Sequence, residues 1–256
     1  MPYDLQTASV LKRIAAYMFD VMMLMIAFSL FATLLSWATG YNKCSREYDA
    51  IRLSYEEEYG ITMDISAEEY EALSEERRAQ YEAADAAIKK DESAIRAYNM
   101  MFNLSILISV LGLLFSFLLL EFMLPALFEN GQTLGKKMFG IGVMQYNGVK
   151  LSGMVLFVRA ILVKYTVETM IPVLLGIMVY FAVIDALGVV LIAGLLLLQV
   201  LLLAFTRART PIHDKLASTV TVDLASQMIF ESREALLAYQ KRIHAEQAEK
   251  AEYGRL

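Results

Sequence analysis

The sequence predicts an all-α polytopic membrane protein with about four transmembrane helices, a long extracytoplasmic helical hairpin and a small cytoplasmic β-ribbon. Of the 256 residues, 57% are hydrophobic, and the mean hydropathy is +0.47. Three long runs, 21–42, 97–120 and 186–206, contain no Asp, Glu, Lys or Arg. Because a helix of about 20 apolar residues crosses a bilayer, each run predicts a span. This composition excludes a soluble enzyme, a nucleic-acid-binding domain and a disordered tail protein.

The first span is expected to begin near Ile14 and to end near Trp37, a residue suited to the membrane interface. Lys12 and Arg13 precede it, so a cleaved signal peptide is the alternative. A signal peptide has an apolar stretch of only about 7–15 residues, whereas this run is longer and contains Asp20. We therefore predict that the first helix is retained as a transmembrane helix.

Residues 43–98 carry 15 acidic and 8 basic residues, unlike the apolar segments on either side. Gly60 separates two halves with helical patterning, and Ser66 followed by Glu69 fits a capping box at a helix start. Apolar residues recur on one helical face at Leu73, Tyr81, Ala84, Ile88, Ile95 and Tyr98. We predict a helical hairpin whose second arm continues unbroken into the second span. A disordered acidic loop is the alternative, and the apolar periodicity argues against it.

The second half of the chain is predicted to hold three further spans. The second span covers about 99–120 and the last one 186–206. Residues 152–168 are apolar but carry three charged side chains, which are more typical of an interfacial or half-buried helix. This helix leads into a shorter apolar run, 169–184, which brings the number of spans to four.

A small β-ribbon is predicted in the Gly-rich segment that follows the second span. Asn147-Gly148, a strong hairpin signal, separates the stretches 141–144 and 149–151. Residues 219–222 are β-branched throughout and are expected to add a third strand. The tail, 224–256, has the pattern of a polar amphipathic helix.

The chain thus divides into four predicted segments. They are the tail with the first transmembrane helix (1–42), the extracytoplasmic helical hairpin (43–98), the remaining transmembrane helices with a cytoplasmic Gly-rich loop (99–223) and a cytoplasmic C-terminal helix (224–256). Lys and Arg occur before the first span, in the loop after the second span and after the last span. Short cytoplasmic loops are enriched in these residues. Since an even number of spans places all of them on one side, both termini are expected in the cytoplasm.

Three side chains on the first helix are candidates for a functional site. Arg13, Tyr17 and Asp20 are spaced i, i+4 and i+7, so they share one helical face. An isolated acid inside a span costs about 2.5–3.5 kcal/mol on insertion, so Asp20 should face a partner or a water-filled cavity. Two interpretations stay open: the cluster handles ions or protons, or it is a buried ion pair that fixes helix packing.

His213 and Asp214 lie where the last span meets the cytoplasm, at the level of Arg13. A His-Asp pair can act in general acid–base chemistry. No Ser or Cys nucleophile stands in a recognisable motif, however, so we do not expect an enzyme. Asp214 is expected to pair with a cation, for which Arg13 is the leading candidate.

The loop segment Gly131-Gln132-Thr133-Leu134-Gly135-Lys136 has some features of a phosphate-binding loop. One residue is missing between the glycines and no Ser or Thr follows the lysine, so the segment fails that test. We expect a tight turn whose lysines mark the cytoplasmic face and contact anionic lipid. The two histidines are far apart and Cys44 is predicted to lie outside, so no metal site, cofactor or disulfide is expected.

Together these residues resemble the RDD family of prokaryotic membrane proteins, which is named for one arginine and two aspartates. Arg13 and Asp20 match the first two letters, and Asp214 best matches the third. Further similarity to the family lies at Gly131 to Lys136, Gly140-Ile141, Leu151-Ser152 and Arg159. The resemblance covers about 10–40 and 99–223, whereas the 43–98 insertion is longer than the loop typical of the family.

The resemblance implies a function in ion handling. Some members look like antiporters that exchange Na⁺, Li⁺ or K⁺ for H⁺ as homodimers, so the chain is expected in the bacterial plasma membrane as a homo-oligomer or part of a larger membrane complex. It implies an ion- or proton-handling cluster with supporting residues: Arg13, Asp20 and Asp214, with Tyr17, His213 and Arg159. The alternative is a non-enzymatic assembly or scaffold subunit that binds partners through the outer hairpin. Four spans without an inverted repeat are few for a secondary transporter, which favours this alternative.

Overall fold

The structure is a computed structural model that describes residues 5–128, 130–206 and 208–253. Among these residues, four helices are long and apolar enough to cross a membrane: Val10–Thr39, Glu92–Leu127, Gly153–Tyr180 and Ala186–Phe205. Their exposed side chains are mainly Leu, Ile, Val, Met and Phe, as expected for helices that face lipid. The predicted all-α membrane protein with four spans is therefore confirmed.

A helical hairpin connects the first two spans, as predicted. The helices of this part of the chain are α1 (Val10–Thr39), α2 (Tyr41–Tyr59), α3 (Ala67–Glu71), α4 (Glu75–Ile88) and α5 (Glu92–Phe117). Ser66 and Glu69 form the predicted capping box at the start of α3. Helix α4 packs against α2 and buries Ala84 and Ile88, because these residues recur at helical spacing on one face. The alternative of a disordered loop was therefore wrong.

The prediction that the second arm continues unbroken into the second span was wrong. Helix α4 ends at Ile88 and α5 begins at Glu92. Asp91 Oδ1 accepts hydrogen bonds from the backbone N–H of Ser93 at 2.7 Å and from that of Ala94 at 3.3 Å. Asp91 thereby satisfies N–H groups that a new helix start leaves unpaired. The apolar periodicity continues on both sides of this short turn, so it does not reveal the break.

The second and third spans each combine α-helical and π-helical segments. After α5, the second span continues through a π-helical segment (Leu118–Met123) into α6 (Leu124–Leu127). Between the spans lie α7 (Leu134–Met138) and strand β1 (Ile141–Gln145). The third span comprises α8 (Gly153–Phe157), a longer π-helical segment (Val158–Met170) and α9 (Ile171–Tyr180), and α10 (Ala186–Phe205) is the fourth. The predicted interfacial helix and the apolar run after it thus form one continuous span.

The predicted β-ribbon is present, but its strands pair differently. Beyond α10 lie α11 (Ile212–Leu216), strand β2 (Thr219–Asp223) and α12 (Arg233–Tyr253). Strand β1 pairs antiparallel with β2, with Val143 opposite Thr221. The stretch 149–151 adds no strand to β1: a backbone hydrogen bond from the N–H of Gln145 to the carbonyl oxygen of Val149 at 2.9 Å closes the turn, and Val149 forms an isolated parallel bridge to Phe230. The nearly full burial of β1 and β2 explains why the distant, β-branched partner is favoured.

The chain forms two compact units. Unit 1 comprises residues 1–27 and 114–256, and unit 2 comprises residues 28–113. The two-stranded sheet lies in unit 1, where Val220 and Val222 of β2 are fully buried beside Met144 of β1. All candidate site residues predicted from the sequence also belong to unit 1.

Candidate functional site

The side chain of Asp20, in α1, holds α7 against α1 through two hydrogen bonds. Asp20 Oδ2 accepts a hydrogen bond from the hydroxyl of Thr133 at 2.5 Å, and Oδ1 accepts one from the backbone N–H of Gly135 at 2.7 Å. The hydroxyl of Thr133 also accepts from the backbone N–H of Lys136 at 3.4 Å, so it caps α7. Both oxygens of Asp20 are therefore engaged, as expected for an acid whose insertion into a span is costly.

Gly135 allows α7 to approach α1 closely. A Cβ atom at this position would lie 2.2 Å from the carbonyl oxygen of Ala16 and 2.9 Å from Asp20 Oδ1. Gly131 has a φ of 60°, in the left-handed region that favours glycine. The glycine spacing that resembled a phosphate-binding loop therefore serves the turn before α7 and its packing on α1.

Arg13 binds backbone carbonyl groups. Its Nη1 donates to the carbonyl oxygens of Arg209 at 2.8 Å and of Ala208 at 3.3 Å. Its Nη2 donates to the carbonyl oxygen of Thr221 at 2.7 Å. Since residues 208–209 follow α10 and Thr221 lies in β2, this guanidinium ties the start of the first span to the end of the fourth and to the sheet.

The ion pair expected between Asp214 and Arg13 is formed by Arg159 instead. Arg159 Nε donates to Asp214 Oδ1 at 2.7 Å, and each side chain is 1% exposed. The hydroxyl of Thr219 donates to Oδ1 at 2.8 Å and that of Thr221 to Oδ2 at 3.1 Å. Burial alone would raise the pKa of the Asp214 carboxyl, but the guanidinium of Arg159 outweighs it and holds the pKa well below its usual range.

The packing of the third span explains why Arg159 rather than Arg13 pairs with Asp214. Its π-helical segment lies against α11, which brings Arg159 to Asp214. Arg13 remains linked to Asp214 through one residue, because the carbonyl of Thr221 accepts from Arg13 while its hydroxyl donates to Asp214. Arg13 and Asp214 are therefore neighbours across β2 without forming a salt bridge to each other.

His213 pairs with Glu168 of the third span. Its backbone N–H donates to Glu168 Oε1 at 2.7 Å, and its Nδ1 lies 2.8 Å from Glu168 Oε2. Burial lowers the pKa of the His213 imidazole, and the neighbouring Asp214 and Glu168 offset part of that shift. A neutral ring with the proton on Nδ1 is the form that donates to the carboxylate. The predicted supporting residue His213 thus holds α11 to the third span.

Lys164 forms an ion pair with Glu121 of the second span. The two side chains are 13% and 5% exposed. Glu121 Oε2 is buried without a hydrogen-bond partner among the described residues, and so is Arg159 Nη1. Leaving a buried polar atom unpaired costs about 1–3 kcal/mol, and more for a charged group. These two atoms can therefore each accept or donate a further bond at a net gain.

The spacing of the charges on the third span depends on its π-helical backbone. Arg159, Lys164 and Glu168 are separated by five and four residues. Residues four and five apart share a face when the helix closes on the fifth residue back. In an α-helix of 3.6 residues per turn, positions nine apart such as 159 and 168 would point in opposite directions. The π-helical segment therefore turns both Arg159 and Glu168 toward α11.

Lys136 adds a further positive charge near these pairs. Burial, with the charge of Arg159, lowers the pKa of the Lys136 ammonium to about 8, although Glu121 and Asp20 offset part of the shift. The side chain is half-buried on α7, directly after Gly135. Its charge is thus held in place by the contact between α7 and α1.

Among the described residues of unit 1, we group eight charged side chains, four acids and four bases, that are linked by the hydrogen bonds, ion pairs and electrostatic interactions given above. We call them the charged network; they are Arg13, Asp20, Glu121, Lys136, Arg159, Lys164, Glu168 and Asp214. Because acids and bases are equal in number, the charged network has no net charge when all eight side chains are ionised. Tyr17, predicted on the same face as Arg13 and Asp20, is 60% exposed and stands outside the network.

Sequence reasoning missed the roles of Glu121, Lys164 and Glu168. Glu121 directly follows the predicted second span, 99–120, and Lys164 and Glu168 are two of the three charged side chains that predicted an interfacial helix over 152–168. Their signal was the cost of each charge within an apolar segment, which one acid and one base on different spans can relieve together. The register that brings Lys164 to Glu121 depends on π-helical turns and could not be read from the spacing.

One comparison with known proteins gives a match. A model of the RDD family matches residues 7–218, which include every member of the charged network. No curated protein and no solved structure matches the chain.

Proposed function

This chain belongs to the RDD family, and on that premise we propose that it exchanges a monovalent cation, Na⁺, Li⁺ or K⁺, for a proton across the membrane. The exchange takes place in the charged network. The proposal also includes a bacterial plasma membrane location, both termini in the cytoplasm, a homo-oligomeric state, and the absence of enzymatic activity and of a cofactor.

The observation that supports this proposal is the charged network itself. An ionisable side chain at the centre of a span costs about 2.5–3.5 kcal/mol, and such residues commonly mark ion pathways and proton relays. A carboxylate can hold either a proton or a cation, so binding of one excludes the other. Four acids and four bases in one membrane unit therefore provide the chemistry that exchange requires.

Asp20 is the exchange residue that the sequence predicts. Its contacts also support a positioning role, because a backbone N–H of α7 depends on its charge. If Asp20 takes up a proton, one oxygen becomes a hydroxyl and loses acceptor capacity. Protonation of Asp20 would then loosen α7, which gives a direct way to couple its charge to the position of the loop.

Vesicles that contain only the purified protein test the proposal. A luminal pH dye should report proton movement when Na⁺, Li⁺ or K⁺ is added outside, and none when choline is added. Asp20→Asn nearly preserves volume and still accepts from Gly135, but it carries no exchangeable proton. Loss of exchange in a folded Asp20→Asn variant would show that exchange depends on Asp20, either directly or through the position of α7, whereas retained exchange would place the exchanged proton elsewhere in the charged network. A wild-type protein without cation-dependent proton movement would refute the proposal.

A second candidate function, partner binding through the hairpin, is favoured by the separate packing of unit 2. Residues 28–113 form a compact unit with buried Ala84, Ile88 and Ala94. The same unit exposes Leu53 of α2 and Tyr98 near the start of α5, which are about half accessible. Exposed apolar and aromatic side chains on a folded helical surface are suited to helix-mediated contact with another chain.

A further inference from the structure

We infer that the ion pair between Glu121 and Lys164 is the cation-binding site of the charged network, where a monovalent cation takes the place of the lysine ammonium on the Glu121 carboxylate. The inference rests on the proposed exchange function and names its binding site. It assigns the exchanged proton to Lys164, a residue outside the family's arginine and aspartate signature.

The bonding of the acids in the charged network distinguishes Glu121 from the others. Asp20 and Asp214 each use both carboxylate oxygens for hydrogen bonds to hydroxyl, backbone or guanidinium donors. Glu168 uses both of its oxygens on His213. Glu121 has Lys164 on Oε1 and a buried Oε2 with no partner among the described residues. A cation binding Glu121 therefore displaces one flexible ammonium rather than dismantling a fixed set of donors.

The backbone gives a second, independent indication. Glu121 lies in the π-helical segment of the second span and Lys164 in that of the third, and the two segments pack against each other. π-helical turns are rare and occur frequently at functional sites. The only buried acid–base pair that joins the two segments among the described residues is the one with the unused carboxylate oxygen.

The exchange step conserves charge. The N–H bond of the Lys164 ammonium breaks, its electron pair stays on nitrogen, and the proton leaves to water. A cation then makes an ionic contact with the Glu121 carboxylate, which remains ionised. One positive charge leaves and one enters, so no additional net charge is buried and no atom is oxidised or reduced. A lysine amine suits this role, since its protonation state responds readily to its surroundings.

Other charges of the network lie around the Glu121–Lys164 pair. Lys136 and Arg159 act electrostatically on Glu121 besides Lys164 itself, and Asp20 acts on Lys136. Because the incoming cation restores the same charge, these neighbours affect both sides of the exchange nearly equally.

Lys164→Arg is the decisive variant. Arginine keeps the positive charge and the pairing with Glu121, but its pKa lies at least two units above that of lysine, so it does not release a proton. Purified protein in weakly buffered detergent solution, with a pH indicator, should release one proton per chain when Na⁺, Li⁺ or K⁺ is added. Lys164→Arg should lower this release, and exchange in vesicles, by about 100-fold or more. Lys137→Arg, at an exposed lysine of α7, is the matched control and should behave as wild type.

A second variant tests the same site independently of Lys164→Arg. The double variant Glu121→Gln with Lys164→Met removes both charges, and replacing a buried pair by neutral groups is commonly tolerated. It should fold and release no proton. Release at the wild-type level by either variant, or no release by the wild type in detergent, would overturn the assignment of this site.

The two assays separate this inference from the proposed function. If wild-type vesicles exchange and Lys164→Arg vesicles exchange equally well, the site assignment is wrong and the proposed function stands. If the wild type releases a proton on cation binding in detergent but shows no exchange in vesicles, the binding site stands and the transport proposal is wrong.

Discussion

At the residue scale, the two kinds of carboxylate in the charged network differ in how their oxygens are used. Asp20 and Asp214 are held by donors from other segments of the chain, so they fix the positions of those segments. Glu121 faces one flexible lysine. Removal of a charge from the first kind should therefore disturb packing, while removal from the second should chiefly change ion binding.

Gly135→Ala tests the close contact of α7 with α1. The added methyl group would fall within 2.2 Å of the Ala16 carbonyl oxygen, so the two segments must separate. Overpacking of this kind costs about 1–3 kcal/mol, and we expect a lower unfolding temperature in detergent. Gly153→Ala is the control, because nothing lies within 4 Å of a Cβ at that position. Equal stability of the two variants would contradict the contact.

Lys136→Met tests the lowered pKa of Lys136, which is about 8 in the folded protein against 10.5 for the free side chain. Between these values the unfolded chain binds more protons than the folded one, so the free energy of unfolding rises with pH. Between pH 8 and 10, the free energy of unfolding of the wild type should rise by about 1–2 kcal/mol relative to that of Lys136→Met. The expected rise is smaller than the full pKa shift would give, because the amine is only half-buried and solvent screens its charge.

Chemical unfolding at several pH values measures this difference. Lys137→Met changes an exposed lysine of the same helix and should show no such pH-dependent gap. A constant difference between wild type and Lys136→Met over the whole range would show that Lys136 titrates normally.

At the scale of elements, the π-helical segment of the third span determines which side chains meet. It places residues 159 and 168 on one face, where α-helical turns would separate them. Its contacts with α11 and with the second span follow from that register. The same 13 residues wound as an α-helix could pair Asp214 or His213 with the third span, but not both.

The break between α4 and α5 gives a prediction at the same scale. Hydrogen bonds from Ser93 hold the pKa of the Asp91 carboxyl below its usual value, so this cap persists at pH values where other carboxyls are protonated. Asp91→Ala leaves the backbone N–H groups of Ser93 and Ala94 without this acceptor. We expect faster hydrogen exchange at both amides. Glu92→Ala, which removes an exposed acid in the first turn of α5, should leave them unchanged; equal exchange in the two variants would contradict the cap.

At the scale of the whole molecule, exchange and partner binding are assigned to different units. The charged network lies in unit 1 and the hairpin in unit 2. The rings of Tyr48, inside the deleted segment, and of Tyr98, just beyond it, are 5.6 Å apart, so α2 and α5 lie close together near the two ends that removing residues 46–94 leaves. In the deletion variant a flexible linker joins Ser45 to Ile95. We expect this deletion to leave cation/proton exchange intact and to change the oligomeric state or partner binding, measured by size-exclusion chromatography in detergent.

The outcome separates the two candidate functions. Lost exchange in a folded deletion variant would show that the hairpin takes part in transport. An unchanged oligomeric state with unchanged partner binding would show that the hairpin is dispensable for assembly.

The sequence determined the membrane class, the four spans, the hairpin and the candidate residues Arg13, Asp20, Asp214 and Arg159. These depend on hydropathy, composition and local spacing, which are properties of short stretches of chain. The capping box at Ser66 was likewise readable, because its two partners are three residues apart.

Only the tertiary structure decided which of these groups pair. Asp214 takes Arg159 rather than Arg13, β1 takes β2 rather than the stretch after the turn, and Glu121 meets Lys164. Each of these contacts joins segments far apart in the chain, and two of them depend on a π-helical register that hydropathy does not encode. Residue type fixes which charges must find a partner in a membrane, whereas the packing of the helices fixes which partner is within reach.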